Sequence, residues 1–124
     1  MKKKIEKLEI EGVTYVPESS INSLAAKNAV GLEYVMIRTY SAGVHCGWLE
    51  KREGKEVTLL SSIRIWKWSG AASLSQLSQE GTNDASNCKF GMPIQKMLLT
   101  EAIEIISMTN QAKLSIQSVE SWKQ

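Results

Sequence analysis

Three stretches between residues 33 and 68 alternate side chains with a period of two, and short glycine-bearing breaks separate them. A β-strand turns successive side chains to opposite faces, so this pattern commits the middle of the chain to antiparallel sheet. Residues 33–40 set Tyr34, Met36, Arg38 and Tyr40 on one side and Val35, Ile37 and Thr39 on the other. Ser41, Ala42 and Gly43 make a tight connection to a second strand over 44–51. Residues 52–55, with Gly54, read as a hairpin turn, and a third strand follows over 56–68.

The flanks are shorter and more broken. Residues 5–16 suit two short strands meeting at Gly12 and closed by Pro17. Ser19 or Ser20 then caps a short helix carrying Ile21, Leu24 and Ala25, which Asn28 and Gly31 end. After Gly70, Ser73-Leu-Ser-Gln76 has the spacing of a capping box, in which Ser and Gln side chains satisfy each other's backbone donors, and a helix to Glu80 stops at Gly81. Residues 82–87 are polar and read as an exposed loop. Residues 92–106 return to strand character, with Leu99, Ile103 and Ile105 on one face and Thr100, Glu104 and Ile106 on the other. Thr109 can cap a last helix whose stripe of Ala112, Ile116, Val119 and Trp122 packs on a sheet. Strands come first and helices are inserted late. This order predicts one domain over residues 1–124 of α+β class, a curved, mainly antiparallel sheet with two or three short helices packed on it.

A chain of 124 residues with 43% hydrophobic content can cover one core without a metal or disulfide. Fifteen Lys and Arg against 13 Asp and Glu give too small a basic excess for a dedicated nucleic-acid domain. The Lys2, Lys3, Lys4 and Lys7 run is countered by Glu6, Glu9 and Glu11, which makes a solvated end. The same acids interrupt any signal-peptide apolar run, and no stretch approaches the ~20 apolar residues that span a bilayer. A cytoplasmic protein with reduced Cys46 and Cys88, and without membrane association, is expected.

No catalytic centre assembles from the residues. His45 and Cys46 are neighbours on a strand and point to opposite faces, which leaves His45 with Cys88 as the one open pairing. One His and two distant Cys match no zinc-ligand spacing, and phosphate-loop and hydrolase-elbow motifs are missing. The expectation is therefore a non-enzyme with neither cofactor nor metal.

Two segments invite a ligand. The first, Arg38-Thr-Tyr-Ser-Ala-Gly-Val-His-Cys-Gly47, gathers hydroxyls and glycines at a turn, where backbone N–H groups of Ser41 and Gly43 can face an anion beside Arg38 and Tyr40. In the second, Ser61-Ser-Ile-Arg-Ile-Trp-Lys-Trp-Ser-Gly70, period-two spacing sets Arg64, Trp66 and Trp68 on one face, a platform for a flat anion such as a nucleotide. A structural role answers each reading: a glycine-dependent hairpin for the first, indoles covered by the following helix for the second. If Arg38 and Tyr40 lie on that same face, the two segments build one pocket.

At Arg38-Thr-Tyr-Ser-Ala-Gly-Val-His and at Arg64-Ile-Trp-Lys-Trp-Ser-Gly-Ala-Ala-Ser-Leu-Ser-Gln-Leu-Ser-Gln-Glu-Gly81 the chain resembles a family of small uncharacterised bacteriophage and prophage accessory proteins, over about residues 33–107. That resemblance implies a setting in a host cytoplasm and supplies no catalytic residues. It points to a counter-defence binding protein, expected to be a homo-oligomer, that sequesters a nucleotide-type immune signal. The alternative is an inhibitor that binds a host defence protein or nucleic-acid enzyme through exposed aromatics and the 82–87 loop.

Overall fold

A computed structural model of the protein describes residues 24–124, together with the strands β1 (Leu8–Ile10) and β2 (Val13–Tyr15). These two strands pair antiparallel from Leu8 opposite Tyr15 to Ile10 opposite Val13, as the alternation around Gly12 predicts. The expected cap at Ser19 or Ser20 lies outside the described residues. The described remainder of that expected helix is not helical. Ala25 bridges Thr109 and Lys27 bridges Glu33, because Ala26 is drawn into the backbone ladder between Met108 and Tyr34. Asn28 makes the turn, its side-chain oxygen accepting from the N–H groups of Val30 and Leu32.

The main sheet contains β3 (Tyr34–Thr39), β4 (Val44–Glu53), β5 (Glu56–Lys67), β6 (Lys89–Phe90), β7 (Ile94–Leu99) and β8 (Ala102–Ser107). Its order is β6-β5-β4-β3-β8, with β7 on the first half of β5, and every pairing is antiparallel. The single strand expected over 92–106 is two strands. Thr100 and Glu101 carry the chain between them, from the β5 side to the β3 side. Ile103 does not share a face with Ile105: a register shift opposite Arg38 and Thr39 leaves Ile103 45% exposed while Ile105 packs inward.

Helices α1 (Leu74–Glu80) and α2 (Asn110–Ser118) lie on one face of the sheet. Leu77, Ala112 and Ile116 pack there with Tyr34, Met36, Cys46, Ile63, Ile65, Phe90 and Met108. Ser73 caps α1 as expected, its hydroxyl accepting from Gln76 N–H, but the Gln76 side chain accepts from Ala72 N–H and not from the cap itself. Thr109 caps α2 through Ala112 N–H. The α2 stripe stops sooner than expected, since the helix ends at Ser118 and Trp122 lies beyond it in extended chain.

The opposite face holds a second core of Val35, Ile37, Val57, Leu59 and Leu99. Val57 and Leu59 belong to this core while Ile63 and Ile65 belong to the first, although all four are odd-numbered residues of one strand. A regular strand would send them to one side. The phase flips at Ser61, whose φ of 52° is the one positive value among the described non-glycine residues. The register shift opposite Cys46 and Trp48 marks this extra residue in β5, a second shift between Leu49 and Lys51 adds one in β4, and with both the long hairpin bends. Its turn then reaches β8, where Ala102 N–H donates to Lys55 O at 3.0 Å. The sheet is strongly curved and not closed.

A left-handed residue other than glycine costs about 1–2 kcal/mol. Ser61→Gly should therefore raise the urea unfolding free energy by up to about 1 kcal/mol, and Ser61→Val should lower it by about 1–2 kcal/mol. A valine variant as stable as the parent would show that the strand can change phase without this backbone conformation.

Candidate functional site

The residues expected to form one pocket fall in three places. On β4, Val44 is opposite both Arg38 and Ile65, whereas His45 is opposite both Ile37 and Arg64. Cross-strand partners share a face and chain neighbours do not, so Arg38 and Arg64 point to opposite faces of the sheet. The shared-pocket expectation is corrected on this register alone.

At the first place, Arg38 Nε donates to Glu104 Oε1 at 2.8 Å, which raises the arginine's proton affinity and holds the Glu104 carboxyl below its ordinary value. Ser41 Oγ donates to Glu101 Oε1, and Tyr40 N–H donates to Glu101 O. Tyr40 is exposed, and Gly43 adopts φ 85° to close the turn, its carbonyl accepting from Thr39 N–H and Oγ1. An anion here would meet two carboxylates. Arg38, Tyr40, Ser41 and Gly43 therefore make a turn whose one cation already has a carboxylate partner, and the structural reading of this segment is the one its contacts fit.

Trp68 stands at the second place. Its Nε1 donates to Ala71 O at 3.2 Å and its ring packs against the helix-side core. The register shift between Ile65 and Lys67 puts it on a different side from Trp66, which corrects the expected row of three.

Arg64 and Trp66 form the third place, and here the expected pairing is present. The Arg64 guanidinium carbon lies 5.0 Å from the Trp66 ring centroid. Trp66 is 57% exposed and meets Trp122 edge to face at 6.4 Å, and Lys89 Nζ lies 4.9 Å from the Trp122 ring. Two cations thus flank two exposed indoles. The chain builds this row from distant segments: Gly91 N–H donates to Arg64 O, and Trp122 N–H donates to Phe90 O. Gly91 has no side chain to fill the space beside Trp66 Nε1. Sequence reasoning placed Trp122 on a helix and left Lys89 out, since nothing in the local pattern shows that the C-terminal segment runs beside β6.

Among the described residues Arg64 makes no ion pair, and its buried Nε has no hydrogen-bond partner. A guanidinium seated on an indole without a carboxylate is a cation held ready for an outside anion. The shallow cleft of about 240 Å³ between the β4–β5 turn and β8, lined by Arg52, Gly54 and residues 102–105, lacks this property. There Arg52 Nε donates to Gly54 O, and Glu104 is held by Arg38.

His45 and Cys88 do not meet. His45 Nε2–H donates to Ala42 O at 2.9 Å, while Cys88 Sγ contacts Ser69 O, Thr82 Oγ1 and Asp84 O. Burial pushes the Cys46 thiol far above its ordinary range. No group of three or more His, Cys, Asp and Glu among the described residues could hold a metal. The 82–87 segment is largely exposed, as expected, and its side chains tie it down: Ser69 Oγ and Asn87 Nδ2 donate to the Asp84 carboxylate, lowering its proton affinity, and Ala85–Asn87 form a 3-10 turn. No described helix is long and apolar enough to cross a membrane.

Burial, and then the charge of Arg64, lower the proton affinity of His45 from its ordinary value of 6.5, only partly offset by the Ala42 bond. The unfolded chain therefore takes up a proton first as pH falls. The contribution of neutral His45 is complete above pH 6.5 and is lost as pH drops below it, with a slope of at most about 1.4 kcal/mol per unit. Urea unfolding between pH 7.5 and 5.0 should show this fall. His45→Gln should flatten it, and an unchanged slope would assign the effect to other groups.

No curated protein and no solved structure matches the chain. A family model does match, over residues 32–116, which takes in the main sheet, α1, α2 as far as Ile116, and Arg64 with Trp66. With that much of its length covered, the chain belongs to the family described as a domain of unknown function, DUF6948.

Proposed function

We propose that the protein is a non-enzymatic binding protein that sequesters a nucleotide-type small molecule, with Arg64 and Lys89 pairing phosphate and Trp66 and Trp122 stacking the base. The observation that carries this reading is the Arg64 guanidinium, poised on an exposed indole and lacking an acidic partner among the described residues. Stacking on an aromatic side chain contributes about 1–3 kcal/mol per base and tolerates any base, because every base has a π-face. A charge-assisted bond from a guanidinium to phosphate adds direction. The resemblance to phage accessory proteins supports an immune signal as the molecule held, in a host cytoplasm.

Tryptophan fluorescence and calorimetric titration with linear and cyclic nucleotides test the reading. Binding tighter than about 1 mM, roughly 4 kcal/mol, is expected. Trp66→Ala should weaken it by about 5- to 150-fold, corresponding to about 1–3 kcal/mol, whereas Arg38→Gln on the opposite face should leave it unchanged. Failure of every nucleotide to bind within that limit discards the proposal.

A second reading follows from the shape of the same surface. Trp66 and Trp122 are 57% and 49% exposed, which suits anchors inserted into the pockets of a host protein. Native mass spectrometry of gently purified protein separates the two, since it reports a retained small molecule, a homo-oligomer or a stable protein partner in one measurement. A partner complex that persists without nucleotide and is lost on Trp122→Ala would favour the second.

A further inference from the structure

Three side-chain polar atoms without partners lie together beneath the proposed surface: His45 Nδ1, Ser62 Oγ and Arg64 Nε. His45 is fully buried and Ser62 is 2% exposed, so bulk water does not serve them. They share one face. His45 is directly opposite Arg64, and Ser62 precedes Arg64 by two residues on the same strand. Gly47 follows His45 by two positions and contributes no side chain, and a Cβ there would lie 3.2 Å from Ser62 Cα. Buried polar groups in proteins are almost always paired, and three together on one face require a common answer.

The hydrogen-bonding roles define that answer. Since His45 Nε2–H donates to Ala42 O, Nδ1 carries the lone pair and can only accept. Arg64 Nε–H can only donate, and the Ser62 hydroxyl can do either. An anion would satisfy Arg64 and face the His45 lone pair. A cation would do the reverse. A hydroxyl oxygen, which donates once and accepts twice, satisfies all three.

We propose that His45, Ser62 and Arg64 form one internal network closed by a single hydroxylic molecule of water size, and that His45 is thereby a positioning residue for Arg64. With Nε engaged inward, the guanidinium is fixed over Trp66 with its outer nitrogens toward solvent. The network deepens the reading of Arg64 as the phosphate partner, and it is testable without any nucleotide.

The test is NMR of the ¹⁵N-labelled, ligand-free protein at pH 7. The expected result is an imidazole protonated at Nε2 and bare at Nδ1, with an Arg64 Nε–H signal, assigned by its loss in Arg64→Lys, that exchanges at least tenfold slower than free arginine and shows a cross-peak to long-lived water. His45→Leu should return that exchange to the free rate with the amide spectrum preserved, and His45→Gln should restore the slow rate. A proton on Nδ1, or an Arg64 Nε–H in the parent protein that exchanges like free arginine, overturns the proposal whether or not the variants fold. Because nucleotide is absent, such a result leaves the proposed ligand untouched. A failed titration with the network intact removes the ligand and leaves the network.

Discussion

The left-handed backbone at Ser61 is the constraint on which the rest of the architecture depends. It lets one strand contribute Val57 and Leu59 to one core and Ile63 and Ile65 to the other, so that a single sheet has an apolar layer on each face. Without the phase change, one of these pairs would point into solvent on a sheet whose other face is already covered by helices. The cost is local, about 1–2 kcal/mol for a non-glycine residue in this region, and it is offset by the burial of two large aliphatic side chains, at roughly 1.5–3 kcal/mol each. The same flip puts Ser62 and Arg64 on the face of His45. Core and candidate site are thus consequences of one dihedral angle.

Much of the fold was legible because its strongest signals are local. The strand over 33–40, the turn at Gly54, the caps at Ser73 and Thr109 and the stop at Gly81 each follow from a few neighbouring residues, and each is present. The errors are non-local or depend on irregularity. Period-two counting put Trp68 beside Trp66, and it fails where the register shifts between Ile65 and Lys67. It put Ile103 with Ile105 and fails at the bulge opposite Arg38 and Thr39. A bulge adds one residue and reverses every side chain after it, yet it has no reliable composition of its own.

The candidate site was half legible for the same reason. Arg64 and Trp66 are close in sequence and meet as their spacing suggests. Whether Arg38 joins them depends on parity across β4, a relation between three strands that no single stretch encodes. Trp122 and Lys89 complete the row only through the bridge between Phe90 and Ser121, which links segments about thirty positions apart. What replaces the expected shared pocket is an open row of alternating cation and indole, with one positive neighbour over each ring.

The connection through Thr100 and Glu101 has a kinetic meaning. Two residues join strands that guard opposite sides of the sheet, β7 against β5 and β8 against β3. Neither flank can be sheltered until the C-terminal third of the chain has been made, so the three-stranded β3–β4–β5 meander emerges from synthesis with both margins open to intermolecular pairing. Once the clasp has formed, peeling one margin away pulls on the other. Fraying of this molecule should therefore be suppressed from both sides at once, a mechanical coupling achieved without a disulfide or a closed barrel.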